Sequence, residues 1–166
     1  MKAHAVSAQI FETDATHPHL TRLIAELDAY QYPLYPPESF QGINITELDE
    51  GEITCFMAKV DDDWAGCACL YITRQGLAEM KRVYVNPLFR GQGIASLLIA
   101  AMEKKLKALG HRELFLETGV FQEKAITLYE KLGYSRTQAF GDYQQAPDPL
   151  SVYTVSYTHL TLPTKA

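Results

Sequence analysis

The sequence predicts an α/β fold, a mixed sheet with helices on both faces, on three observations. Strand-like runs crowd the middle of the chain, at 53–60, 64–72 and 77–85. Apolar residues recur at helical spacing in two other places, Leu20, Leu23, Ile24 and Leu27, then Ile94, Leu97, Leu98, Ala101, Met102 and Leu106. A glycine-rich loop, Gly91-Gln92-Gly93, joins the third of those strands to the second of those helices. Strands clustered in the middle and punctuated by helices suit a mixed sheet.

In chain order, 5–11 reads as a first strand. Thr16-His17-Pro18 then starts a helix, because proline suits the first helical position, where no amide donor is needed. Pro33, Pro36 and Pro37 end it. Asp61-Asp62-Asp63 separates two strands as a hairpin turn. The helix over 94–109 keeps Lys104, Lys105 and Lys107 off its apolar face and stops at Gly110. A strand over 112–118 follows. A last helix carries Phe121, Ala125, Leu128, Tyr129 and Leu132 on one face and closes at Gly133. Strands from Tyr134 onward and over 151–157 complete the sheet.

Length and composition bound the class. The chain has 166 residues, the size of one domain, and at 47% hydrophobic and 21% charged it can bury a core. A net charge of −5 argues against a nucleic-acid or anionic-membrane surface. Three cysteines, Cys55, Cys67 and Cys69, are odd in number and not spaced as C-x-x-C, which argues against a disulfide framework or a zinc site, so no metal is expected. Cys67 and Cys69 read as small core residues on one face of a strand. No run of about 18 apolar residues occurs, so the reading is a cytoplasmic protein without a membrane span.

The strand, loop and helix over 83–98 carry the chemistry. Glycines let the backbone approach a ligand, and the first turn of a helix offers unsatisfied N–H groups. The helix dipole favours an anion there by about 0.3–1 kcal/mol, and Arg90 adds a positive fork. Together these make a diphosphate site. A Walker loop is excluded, because no Lys-Ser/Thr pair follows Gly93. A dinucleotide fingerprint is incomplete, because Ser96 stands where its third glycine belongs. The pattern R/Q-x-x-G-x-G/A is met by Arg90, Gly93 and Ala95. A structural glycine turn is the plain alternative.

Over 83–98 the sequence resembles the coenzyme A loop of the GCN5-related N-acetyltransferases, and Leu128-Tyr129-Glu130-Lys131-Leu132-Gly133-Tyr134 is similar to that family's second characteristic stretch. The resemblance implies a sheet splayed between its fourth and fifth strands, acetyl-CoA as donor, and direct transfer to an amine in a ternary complex. It implies that Val83, Tyr84 and Val85, on a strand splayed after Val85, offer unpaired backbone groups to the pantetheine arm, as an added strand would. Arg90, Gly91, Gln92, Gly93, Ile94 and Ala95 would hold the diphosphate. Ala125 matches the family motif, but Gln122 stands where many members carry Asn, so its cofactor contact is a departure.

Two catalytic candidates follow. Tyr129 aligns with the tyrosine the family places near the coenzyme A sulfur, where a phenol can protonate a thiolate; its position equally fits packing beside Ala125 and Leu132. Glu79 is the candidate base: alternation puts Glu79, Lys81, Val83 and Val85 on one face, and the competing reading is a surface carboxylate paired with Lys81 or Arg82. Glu117 is a second carboxylate able to face the same cleft. Asp142 and Tyr143 are candidates for substrate contact, as are Tyr30 and Tyr35 in the tyrosine- and proline-rich segment 27–39, which otherwise reads as a connector.

The resulting expectation is an N-acetyltransferase acting on a small-molecule or amino-acid-like amine, with a second copy of the chain as a possible assembly partner. A non-catalytic acyl-CoA sensor is the alternative; it could dispense with Tyr129 and Glu79. Residues 1–153 form the expected catalytic domain. Residues 154–166, rich in threonine with Lys165 as their one charged side chain, read as an atypical tail similar to translated cloning sequence; threonine and valine still favour strand at its start, and about the last ten residues are expected to pack poorly.

Overall fold

The computed structural model describes residues 7–39 and 51–157. Seven strands form one sheet in the order β1-β2-β3-β4-β5-β7-β6. They are β1 (Ala8–Thr13), β2 (Glu52–Val60), β3 (Asp63–Ile72), β4 (Ala78–Val85), β5 (Leu114–Gly119), β6 (Ser135–Thr137) and β7 (Ser151–Ser156). All neighbours pair antiparallel except β4 and β5, which are parallel. The helices are α1 (Pro18–Gln31), α2 (Ile94–Ala108) and α3 (Glu123–Lys131).

The two sheet faces bury different helices. On one, Leu20, Leu23 and Leu27 of α1 pack on Cys55, Met57, Cys67, Cys69 and Tyr84. On the other, Ile94, Leu98, Ile99, Met102 and Leu106 of α2 and Tyr129 of α3 pack on Phe56, Ala68, Leu70, Met80, Leu114 and Leu116. The strand alternation that sends Cys67 and Cys69 to one face sends Ala68 and Leu70 to the other. All three cysteines are buried, and burial pushes the Cys67 thiol up, as befits inert core residues.

The helix starts follow local rules. His17 caps α1, its Nδ1 accepting from the His19 amide at 3.2 Å, and Pro18 takes the first position. Gly93 caps α2 with φ +79°, a left-handed conformation that costs glycine little. Two expectations shift. Leu97 is 42% exposed while Ile99 joins the core, because the buried row of α2 runs through 94, 98, 102 and 106. Phe121 precedes α3 rather than joining its apolar face; it is exposed and stacks on Tyr35 with centroids 5.3 Å apart.

The last strand crosses the expected domain boundary. β7 runs through Thr154, Val155 and Ser156, all buried and paired with Leu116, Phe115 and Leu114. Residues 158–166 lie outside the described residues.

Candidate active site

β4 and β5 pair only at Glu79↔Phe115 and Met80↔Leu116. The strands then diverge, so from Lys81 onward β4 has no β5 partner among the described residues. The splay therefore opens earlier than the expected point after Val85. A cavity of about 120 Å³ occupies the gap and passes through the sheet. Leu27, Gln31 and Tyr35 line it from the α1 side, and Gln122, Ala125 and Tyr129 from the α3 side.

A bulge in β4 decides what faces this cavity. Cys69 pairs with Lys81 and Cys67 with Tyr84, so Arg82 and Val83 together oppose Ala68. Arg82 takes φ +58°, which costs a non-glycine residue roughly 1–2 kcal/mol. Its guanidinium is held by Asp28 of α1 at 2.6 Å, and its carbonyl accepts from the Cys67 thiol. The extra residue reverses the alternation. Glu79 and Lys81 stay on the α1 face with Tyr84, while Val83 and Val85 turn to the α2 side and pack on its core. The expected common face for Glu79, Lys81, Val83 and Val85 is thus corrected.

Glu79 is buried and bound. Its Oε2 accepts from the Tyr143 hydroxyl at 2.7 Å and pairs with Lys81 Nζ at 3.2 Å. Lys81 also reaches the Tyr143 hydroxyl at 3.4 Å and lies over its ring. Glu117 stands on the same face across the gap, two residues beyond the β5 partner of Glu79. Its Oε2 accepts from Ser151 Oγ at 2.6 Å. Burial raises its carboxyl above the ordinary glutamate range; the Ser151 hydrogen bond opposes this and the Glu79 charge adds to it.

Tyr129 reaches the cavity from the other face. Its ring is buried and makes an edge contact with Tyr134, but its hydroxyl hydrogen-bonds to no described residue. The oxygen is also not among the fully buried unpaired side-chain atoms, so it opens onto the cavity. Burial, then the charge of Glu117, pushes this phenol well above its ordinary value, so it stays protonated at neutral pH.

A second cavity, about 930 Å³, adjoins the first on the α1 side. Ser39, Glu79, Lys81, Tyr143 and Leu150 line both. Its other walls include Tyr71, Leu77, Phe140 and Asp142. Asp142 lines this outer cavity, and Tyr143 stands where the two meet. Tyr35 lines only the inner cavity and is tied down: its hydroxyl accepts from the Phe121 amide at 3.1 Å and donates to Gln122 Oε1 at 3.4 Å. A Cβ at Gly119 would overlap that hydroxyl, so any larger residue there must push Tyr35 aside. Tyr30 lines neither cavity; it is exposed, with the Arg90 guanidinium 5.4 Å from its ring centroid.

The phosphate loop fits the ligand that the resemblance implies. Gly91 and Gly93 have φ of +77° and +79°, and nothing lies within 4 Å of where their Cβ atoms would be. Among the described residues, the amides of Gly91, Gln92, Gly93, Ile94, Ala95 and Ser96 have no intramolecular acceptor. Arg90 is anchored through Nε to the Val85 carbonyl at 2.9 Å, between the rings of Tyr30 and Tyr84. That carbonyl keeps one lone pair for a second donor. Ile94 is buried, and Tyr84 turns to α1, its hydroxyl on Glu26 at 3.1 Å; burial and that carboxylate push its phenol up to about 12. Both can offer only backbone to a cofactor. Gln122 Oε1 accepts from Thr118 Oγ1, the Gly119 amide and Tyr35, so its carbonyl closes the turn from β5 into α3.

Sequence reasoning missed Ser151 and the bulge at Arg82. Nothing local signals either one, since both depend on a neighbouring strand or helix. Gly119, at a strand end, was visible as a residue but not as a contact.

The profile described as the acetyltransferase (GNAT) family matches residues 17–134. An Azospirillum brasilense protein named IAA acetyltransferase is 38% identical over 135 residues, covering 81% of this chain and 87% of the relative. A crystal structure from Klebsiella pneumoniae subsp. pneumoniae MGH 78578, assigned to the acyl-CoA N-acyltransferases, superposes with a TM-score of 0.74 at 34% identity, covering 90% of this chain and 96% of its own. A GNAT family acetyltransferase from Elizabethkingia anophelis, solved with acetyl-CoA bound, has the same fold: TM-score 0.66 at 21% identity, with 90% and 97% covered.

Proposed function

The chain belongs to the acetyltransferase (GNAT) family, and on that premise we propose that it moves the acetyl group of acetyl-CoA to the amine of a small molecule entering through the outer cavity. The observation that carries this reading is one continuous cavity through the sheet, with an unpartnered phenol on one side and two carboxylates on the other.

The donor's diphosphate lies against the amides from Gly91 to Ala95, with Arg90 beside it. Its pantetheine arm follows the unpaired edge of β4, whose divergence from β5 leaves backbone groups for it. Acetyl-CoA supplies an electrophilic thioester carbonyl and a thiolate leaving group. Tyr129 gives a proton to the departing sulfur. The carboxylates of Glu79 and Glu117 draw the acceptor's ammonium into the gap, where a carboxylate takes its proton, because only the neutral amine is a nucleophile. Tyr71, Phe140 and Tyr143 give the outer cavity aromatic walls, suited to an acceptor with an apolar body. No helix among the described residues is long and apolar enough to cross a membrane.

The test is thiol release from acetyl-CoA across a panel of primary amines. Turnover with at least one amine, lost in Tyr129→Phe, is the expected result. Coenzyme A binding without turnover of any amine would favour the sensor reading.

A further inference from the structure

Resting on that reading, we propose that the two carboxylates divide the work: Glu117 takes the proton from the acceptor ammonium, and Glu79 is a positioning residue, clamped by Lys81 and Tyr143, that orients the amine on its way in.

Geometry separates them. Glu79 Oε2 already meets two donors, the Tyr143 hydroxyl at 2.7 Å and Lys81 Nζ at 3.2 Å. The Lys81 side chain is only 14% exposed and that of Glu79 8%, so the pair is screened little by water. That oxygen is already engaged, so an acceptor's N–H must compete there with the two groups that hold it. Glu117 has no cation within ion-pair distance among the described residues, and its one partner is the neutral Ser151 hydroxyl at 2.6 Å. Burial makes this carboxylate a stronger base, and its carboxyl is raised even though the Ser151 hydrogen bond and the more distant charge of Lys81 act to lower it, while the charges of Glu79 and Asp148 add to the rise.

Position separates them as well. Glu79, Lys81 and Tyr143 line both cavities and so stand at the passage between them. Glu117 and Tyr129 line only the inner one, so acid and base share the reaction end. The charge of Glu117 is felt at the Tyr129 phenol, which fits two groups facing one small space.

The protons balance. Glu117 takes one proton from the ammonium and returns it to solvent after turnover. The freed lone pair forms the C–N bond as the C–S bond breaks. Tyr129 gives its proton to sulfur and recovers one from the nitrogen, which loses its second hydrogen as the amide forms. The products are an N-acetyl amide, free thiol and one proton.

The experiment follows thiol release with methylamine as acceptor probe, from pH 5 to 9, for wild type, Glu117→Gln, Glu79→Gln and Lys81→Met. Calorimetry of coenzyme A binding runs alongside on all four. In the wild type, kcat should fall on the acidic side with a midpoint above the ordinary glutamate range. Glu117→Gln should lower kcat roughly 10²–10⁴-fold and erase that limb. Glu79→Gln and Lys81→Met should raise KM for methylamine and keep the limb, with kcat within about tenfold of wild type. A limb that survives Glu117→Gln but vanishes in Glu79→Gln would overturn the assignment, whereas a wild type that binds coenzyme A and acetylates no primary amine would overturn the enzyme reading it rests on. Failure of coenzyme A to bind would instead overturn the donor-site reading beneath it.

Discussion

Two tyrosines in edge contact, Tyr129 and Tyr134, should respond in opposite ways to loss of their hydroxyls. Their ring centroids lie 6.1 Å apart and both rings are buried. The Tyr129 hydroxyl bonds to no described residue and opens onto the inner cavity, so Tyr129→Phe removes no protein contact and keeps the ring packing. Its stability cost should stay well below that of Tyr134→Phe, because no hydrogen bond to a described residue is lost. The Tyr134 hydroxyl donates to Glu103 Oε2 at 2.8 Å. Losing a hydrogen bond to a carboxylate costs about 1.5–3 kcal/mol, which for a chain of this size lowers Tm by roughly 3–12 °C. Activity should invert the order. Tyr129→Phe should lose about 10²–10⁴ in kcat, the usual worth of a general acid, with coenzyme A affinity unchanged. Tyr134→Phe should keep kcat at temperatures where it stays folded. Thermal scans and thiol-release kinetics on both variants test this. Full kcat in Tyr129→Phe, or a Tm loss matching that of Tyr134→Phe, would refute the role given to Tyr129.

Further consequences are open to test. Burial raises the carboxyl of Glu117, so its contribution to stability is complete below the ordinary glutamate range and is lost as pH rises through the raised value. Glu117→Gln should therefore be at least as stable as wild type at pH 7, with a Tm less dependent on pH between 4 and 8; a clear destabilisation at pH 7 would contradict this. Gly119→Ala should cost about 1–3 kcal/mol in urea unfolding by displacing Tyr35, and Tyr35→Ala in the same chain should remove most of that increment. Gly93→Ala meets open space but must hold φ +79°. It should cost roughly 1 kcal/mol in stability, and by moving the amides that face the diphosphate it should weaken coenzyme A binding about tenfold or more.

The sequence carried the fold well where periodicity met punctuation. The stripe at Leu20, Leu23 and Leu27, the proline at the start of α1, the aspartate turn before β3 and the glycine cap of α2 all stand where local chemistry put them. It misled where a strand departs from its two-residue period. The bulge at Arg82 needs Asp28 from a helix more than 50 residues upstream, as their separation of 54 positions shows. No strand pattern could announce that Val83 and Val85 would leave the face of Glu79. The cleft was legible in part. Glu79, Glu117, Tyr129 and Tyr143 do converge on one cavity, because β4 and β5 run parallel and then separate. Tyr30 does not converge with them, because Arg90 draws it to the phosphate loop. Which carboxylate is clamped and which is left as a base depends on how far each stands from Lys81, and spacing along the chain does not encode that.

Everything proposed for the reaction depends on the diphosphate lying on the amides of the loop into α2. The most direct measurement is a ¹⁵N–¹H titration of the full chain with coenzyme A. Amide signals of Gly91, Gln92, Gly93, Ile94 and Ala95 should shift together and saturate with one binding constant, and Gly93→Ala should weaken that constant. Saturable binding that leaves those five signals unmoved, while amides elsewhere shift, would contradict the placement of the donor.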